Sequence, residues 1–134
     1  MSGSLDTSVL VQLVTGQTPE LAAEAVRLVE QADAQLAIAD AAVIELIFVL
    51  EKLKRLDRKD IMTAVEVLSG HKIFNFNRAL FAEALPQYVA QPALSIHDCC
   101  LAVYAKFNNA EPLWTFDQKL AKQMPGARLV PIAK

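Results

Sequence analysis

The sequence has no excess of positive charge: 13 Lys and Arg stand against 15 Asp and Glu, a formal net charge of −2. A protein that coats nucleic acid through a broadly basic surface is thereby excluded. A nuclease is not, because a cation can meet the phosphate in place of basic side chains. Cysteine is scarce too. The two present, Cys99 and Cys100, are adjacent, and helix neighbours about 100° apart do not suit disulfide geometry. No secreted disulfide framework exists, which predicts a reducing, cytoplasmic setting. Met1-Ser2-Gly3-Ser4 lacks the basic and apolar stretches of a signal peptide. Long apolar runs are also missing: the longest, Ala41 to Leu50, is interrupted by Glu45 and is too short to span a bilayer. No internal repeat, low-complexity tract or long linker breaks the chain. One soluble domain over residues 1–134 is expected, residues 1–4 being either native or a cloning remnant.

What is present suits a folded core. Hydrophobic residues make up 54% of the chain and charged residues 21%, which argues against disorder. A very short strand at Ser4-Leu5 leads into Asp6, and a helix over Val9–Val14 stops at Gly16. Pro19 behind Thr18 opens a helix to about Ala32. Gln35 to Ala39 reads as a short buried strand, after which Asp40 caps a helix through Leu56. Asp57 or Arg58 begins the next helix, towards Leu68. Lys72 to Phe76 is ambiguous between loop and strand. Asn77 caps a helix over Arg78–Ala90, and Ser95 starts another to Phe107. Pro112 to Phe116 reads as a strand, Gln118 to Gln123 as a short helix, and Ala127 to Ile132 as the last strand. Short apolar strands alternating with amphipathic helices indicate an α/β fold: a mostly parallel sheet of four or five strands flanked by about seven helices. Such sheets bind ligands outside the carboxyl ends of their strands.

Asp6, Asp40 and Asp117 each stand between a strand and a helix, where the plain expectation for a single Asp is an N-cap. Asp98 has its own plain reading, since Ser95-Ile96-His97-Asp98 resembles a capping box. Glu45 differs. It lies in a helix segment apolar around almost its full circumference, which is expected to be buried or covered by a partner. Its helix neighbours at three and four residues are Ala41, Ala42, Phe48 and Val49, so no basic partner shares its face. A buried carboxylate there needs a partner, a proton or a metal. In a parallel α/β sheet Asp6, Glu45, Asp98 and Asp117 can share one edge. Four ionised carboxylates about 5 Å apart repel by roughly 3 kcal/mol per pair at an effective dielectric near 20, so a cluster requires a cation. Hard oxygen donors without paired His or Cys favour Mg²⁺ or Mn²⁺ over zinc, and that suggests metal-assisted phosphodiester chemistry.

At these residues the chain resembles the PIN-domain family, in particular the VapC-type toxins of bacterial toxin–antitoxin pairs. Leu5-Asp6-Thr7-Ser8-Val9-Leu10 is similar to that family's first acidic motif and Glu45 in its apolar helix to the second. Asp98 ahead of an alanine-containing helix resembles the third, and Trp114-Thr115-Phe116-Asp117 the Thr-x-Asp that carries the fourth. Together the motifs cover nearly the whole chain, although Gly3-Ser4 is a poor central strand beside the family's usual aliphatic residues. The resemblance implies a three-layer PIN-like fold and Mg²⁺- or Mn²⁺-dependent cleavage of RNA to a 5′-phosphate and a 3′-hydroxyl. It implies Asp6, Asp98 and Asp117 near the metal, with Glu45 as ligand or as orienter of the attacking water. Ser8 and Thr115 match polar positions that hydrogen-bond to the site. It further implies a homodimer, which the excess of apolar residues also suggests, and inhibition by a small antitoxin protein.

Other features read more plainly. Lys52, Lys54, Arg55, Arg58 and Lys59 form the densest basic patch, which could guide RNA phosphates, but such residues at a helix end usually complement its dipole and keep it soluble. His97 adjoins Asp98 but points elsewhere on the helix. Phe74, Phe76, Phe81 and Tyr88 suit either a core or a partner surface. A receiver domain would need a second acid near its first strand and a late lysine. A haloacid-dehalogenase-like phosphatase would need an acid where Ser8 stands. The alternative to an enzyme is a catalytically idle PIN-like module kept for binding.

Overall fold

The computed structural model describes residues 1–133, and it divides into two compact units, Met1–Arg78 and Ala79 onward. Strands are so short that helix starts carry most of the chain's definition. In the first unit residues 2–5 run extended beside the first strand: Leu5 N donates to Ala37 O at 2.9 Å, Ala37 N to Gly3 O at 2.9 Å, and Ser4 pairs with Ala37 as an isolated parallel bridge. Helix α1 covers Thr7–Thr15; Asp6 caps it, and Gly16 ends it at φ 60°, a left-handed conformation glycine adopts without steric cost. Helix α2, Pro19–Gln31, begins with proline in its first turn, where the missing N–H is no loss. Strand β1 (Leu36–Ala37) precedes helix α3 (Asp40–Lys52), and helix α4 (Arg58–Ser69) precedes strand β2 (Phe74–Asn75). The pairing of β1 with β2 is parallel, with Leu36 opposite Phe74. Helix α1 packs on α2 and α3, and α3 on α4. Leu10, Leu46, Ile47, Leu50 and Ile61 are fully buried there.

Helix α5 runs Arg78–Ala90 and accommodates Pro86 on an exposed position. In the second unit helix α6 (Ile96–Phe107) buries Cys99 and Cys100 as free thiols, as expected of small apolar side chains. Strand β3 (Leu113–Thr115), helix α7 (Gln118–Gln123) and strand β4 (Ala127–Leu129) complete the chain. The β3–β4 pair is again parallel, Trp114 standing opposite Arg128. Gly126 has φ 87°, a backbone conformation that L side chains rarely adopt, so the turn before β4 favours glycine. Phe81 and Tyr88 are buried, as is Phe74 in the first unit, which assigns these three rings to the core; Phe76 is half-buried, with Arg78 4.8 Å from its ring centre. Among the described residues every strand pairing is parallel, and the elements include seven helices. No described helix is long and apolar enough to cross a membrane.

Helix α3 departs from expectation in three ways. Its N-cap is Ala39, with Asp40 already inside the first turn and making no cap bond. It stops at Lys52 rather than Leu56, because Arg55 turns left-handed at φ 57°. And Glu45 is exposed, on a stripe with Ala41, Phe48 and Lys52, while Val43, Leu46, Ile47 and Leu50 face inward. Leu50→Ala is therefore expected to lower the unfolding free energy by about 2–5 kcal/mol. Phe48→Ala should stay within about 0.5 kcal/mol, as exposed positions do. Urea unfolding of both checks this, and equal losses would reverse the assignment of faces.

Candidate functional site

The expected acids are built at helix starts. Asp6 precedes α1 in extended backbone, and its Oδ2 accepts two hydrogen bonds from Ser8, from the backbone N at 3.0 Å and from Oγ at 2.7 Å. Those bonds, the side-chain one foremost, hold the Asp6 carboxyl below its ordinary value of 3.8, with a weaker backbone contribution from Thr7. Ser8 is thereby the hydrogen-bond partner of Asp6. Asp117 caps α7: its Oδ1 accepts from Lys119 N at 2.9 Å and Leu120 N at 3.2 Å, while its own N–H donates to Thr115 Oγ1 at 2.9 Å. Asp98 closes a reciprocal box with Ser95, its Oδ2 accepting from Ser95 N at 3.0 Å and its N donating to Ser95 Oγ at 3.1 Å. Asp40 instead lies 3.4 Å from Asn77 Nδ2 through its Oδ2.

Glu45 is fixed by a residue the sequence reading passed over. Thr7, 6% exposed, is the buried polar residue of the core. Its Oγ1 stands 3.1 Å from both Glu45 Oε2 and Ala42 O, sharing one proton between them. The hydroxyl so ties the start of α1 to α3 and links the Asp6 turn to Glu45. Thr7 sits between two residues already singled out; only its burial, invisible in the sequence, distinguishes it.

The first unit thus carries Asp6 and Glu45, and the second Asp98 and Asp117. Among the described residues no group of three or more His, Cys, Asp or Glu side chains stands close enough to hold a metal ion. The donor chemistry nevertheless fits a hard divalent cation. Asp6, Glu45 and Asp117 are exposed and Asp98 is half-buried. Among the described residues Oε1 of Glu45, Oδ1 of Asp98 and Oδ2 of Asp117 accept no hydrogen bond. These three acids are each held through one oxygen with the other unengaged, an arrangement compatible with metal ligation. Beside Ser8, residues Val9, Gln12, Leu21, Glu24, Ala25 and Leu28 line a groove of about 330 Å³ between α1 and α2.

A family model described as the PIN domain matches residues 4–124, which includes all four acids. The chain belongs to the PIN-domain family. Its seven helices and short parallel strands are the α/β fold of that family, and PIN domains are in general nucleases, which gives the coarse assignment of a nuclease-type hydrolase. Among solved structures, a toxin–antitoxin complex from Klebsiella pneumoniae is similar at 19% identity and a TM-score of 0.36, over 98% of this chain and 97% of that one. At that level of likeness the assignment rests on the family match. Comparison with curated proteins finds no match.

Two outcomes follow for this PIN domain. Asp6 has a depressed pKa, so its contribution to stability is present above about pH 3.8 and fades as pH falls through the folded-state value. Ser8→Ala removes the largest cause and should move the Asp6 carboxyl titration upward toward 3.8, read by ¹³C NMR; an unmoved titration would contradict the assigned cause. Thr7→Val should cost about 1–2 kcal/mol, the loss of a buried hydroxyl's hydrogen bonds, measured by thermal unfolding.

Proposed function

We propose that this PIN domain is a Mg²⁺- or Mn²⁺-dependent endoribonuclease, the toxin of a type II toxin–antitoxin pair. Its metal-binding and catalytic acids are Asp6, Glu45, Asp98 and Asp117. The observation that carries the proposal is the presentation of those acids: each is oriented by hydrogen bonds, and Glu45, Asp98 and Asp117 keep one oxygen unengaged. The match across residues 4–124, running through both units, supports reading the chain as one domain.

A divalent cation, when bound, supplies Lewis-acid polarisation of the phosphate and activates water. The chain supplies placement. Ser8 keeps Asp6 ionised and aimed, and Thr7 restrains the rotamer of Glu45, which suits Glu45 to orienting the attacking water. Thr115 turns the backbone into Asp117. The chain's net charge of −2 leaves electrostatic neutralisation of RNA to the cation and to local basic residues. An antitoxin partner is proposed from the likeness of the four motifs to VapC-type toxins, and the groove lined by Leu21 and Leu28, both exposed, is an apolar surface suited to a peptide helix. Homodimerisation and a cytoplasmic location belong to the same reading. The second reading is an idle module that binds without cutting.

Asp6→Asn keeps a good N-cap and Asp98→Asn a short polar side chain, so both variants should fold. Each is expected to cut cleavage of labelled total RNA by at least about a hundredfold. The wild type should cut at discrete sites with Mg²⁺ or Mn²⁺ and not in EDTA. Undiminished cleavage in both variants would remove the acids from the mechanism, and a folded wild type that never cuts would leave the binding module.

A further inference from the structure

The segment around Asp117 combines positive charge with exposed rings. Residues 112–133 carry three cations (Lys119, Lys122 and Arg128) and a single acid, Asp117, in a chain whose net charge is −2. All three cations are exposed. Within the same segment two large rings stand in solvent, Trp114 at 52% exposure and Phe116 at 72%. Exposed rings of that size carry a hydration cost that a core position would relieve. Trp114 lies on β3 directly opposite Arg128 on β4, and residues in register on paired strands present side chains to the same face. Phe116 follows β3 by one residue, and Asp117 comes next, its N–H fixed by Thr115 Oγ1 at 2.9 Å. Two rings, a guanidinium on the same face as one of them, and an oriented acid therefore occupy one strand end.

Resting on the ribonuclease reading, we infer that Trp114, Phe116 and Arg128 form a subsite for single-stranded RNA, with unpaired bases stacked on the two rings and Arg128 on the phosphate between nucleotides. Stacking on aromatic rings is indifferent to base identity, because every base has a π-face. It selects unpaired RNA over duplex, whose bases are already stacked. Positive charge beside the rings meets the backbone, which an otherwise acidic chain repels. Trp114 and Phe116 are binding residues here. They would hold the strand next to Asp117, the acid that follows Phe116 in the chain.

Trp114 is the chain's single tryptophan, so its fluorescence reports the subsite directly. The probes are fluorescein-labelled octamers of uridylate and adenylate, and an RNA duplex of the same length, in EDTA to prevent cleavage. Both single strands should quench Trp114 and the duplex should not. By anisotropy, Trp114→Leu and Phe116→Leu should each weaken single-strand binding about five- to 150-fold, with Trp114→Phe restoring most of it. Arg128→Ala should lower the slope of log affinity against log salt by about 0.7, one phosphate contact on a single strand. In cleavage assays with Mg²⁺ the ring variants should raise KM far more than they lower kcat. Wild-type cleavage with unchanged RNA binding in both leucine variants overturns the subsite and leaves the nuclease reading standing. Single-strand binding that quenches Trp114 without any cleavage keeps the subsite and removes the nuclease. Leucine variants that change the mass by light scattering, with RNA binding intact, reassign the rings to a contact between copies of the chain.

Discussion

Every helix begins with N–H groups that no preceding turn can satisfy, and in a chain whose strands are two or three residues long this constraint decides where the acids go. Asp6 and Asp117 meet it as N-caps, and Asp98 meets it inside a capping box. A side-chain oxygen engaged this way is fixed in direction at modest cost, because the bond it makes is one the helix needs. A carboxylate has a second oxygen, however. Capping therefore need not compete with metal binding; in the proposed site it would perform the orienting task that outer hydrogen bonds perform around many metal ligands. Taken one at a time, these aspartates are explained by capping alone, and a catalytic role would use the same bond.

Glu45 lies outside that scheme and needs another anchor. It sits inside α3, where the helix's own N–H groups are already paired, so its restraint comes from a neighbouring element. Thr7 provides it from the first residue of α1, immediately after Asp6. The consequence is a mechanical link: the residue that starts α1 touches Glu45, and the residue before it is the first acid. A shift in the α1 start moves both carboxylates of this unit together. Burial of the Thr7 hydroxyl adds to this, since hydrogen bonds strengthen where water is excluded.

Most element boundaries were legible because they depend on local chemistry. Gly16 ends α1, Pro19 opens α2, Asp57 caps α4 and Ser95 caps α6, all readable from a few adjacent residues. What was not legible depends on distant partners. Phe74–Asn75 becomes a strand only through β1, nearly forty positions earlier, so its own residues left it undecided. The apolar circumference of α3 concealed which stripe faces inward. Phe48 and Glu45 lie on the outer side although the segment reads as wholly buried, and the burial argument that first drew attention to Glu45 does not hold. The acid stays a candidate on different grounds, its place in the motif series and its hydrogen bond to Thr7. The four motifs were visible as an order of residue types; the family match tests that order but not the role of each acid.

Charge distribution bears on how such a domain would discriminate among RNAs. A net negative chain cannot rely on long-range attraction, so its affinity must come from short-range contacts that act after encounter. Stacking is such a contact and is far less sensitive to salt than phosphate pairing. A site built chiefly from rings and one or two cations would keep binding single strands at ionic strengths that release a polybasic nuclease from bulk RNA. Duplex regions offer it phosphates but few free base faces. On the proposed reading, the exposed rings at 114 and 116 would give an acidic protein a means of selecting loops and ends. The same charge balance that excluded a nucleic-acid-coating protein favours selection by shape over capture by charge.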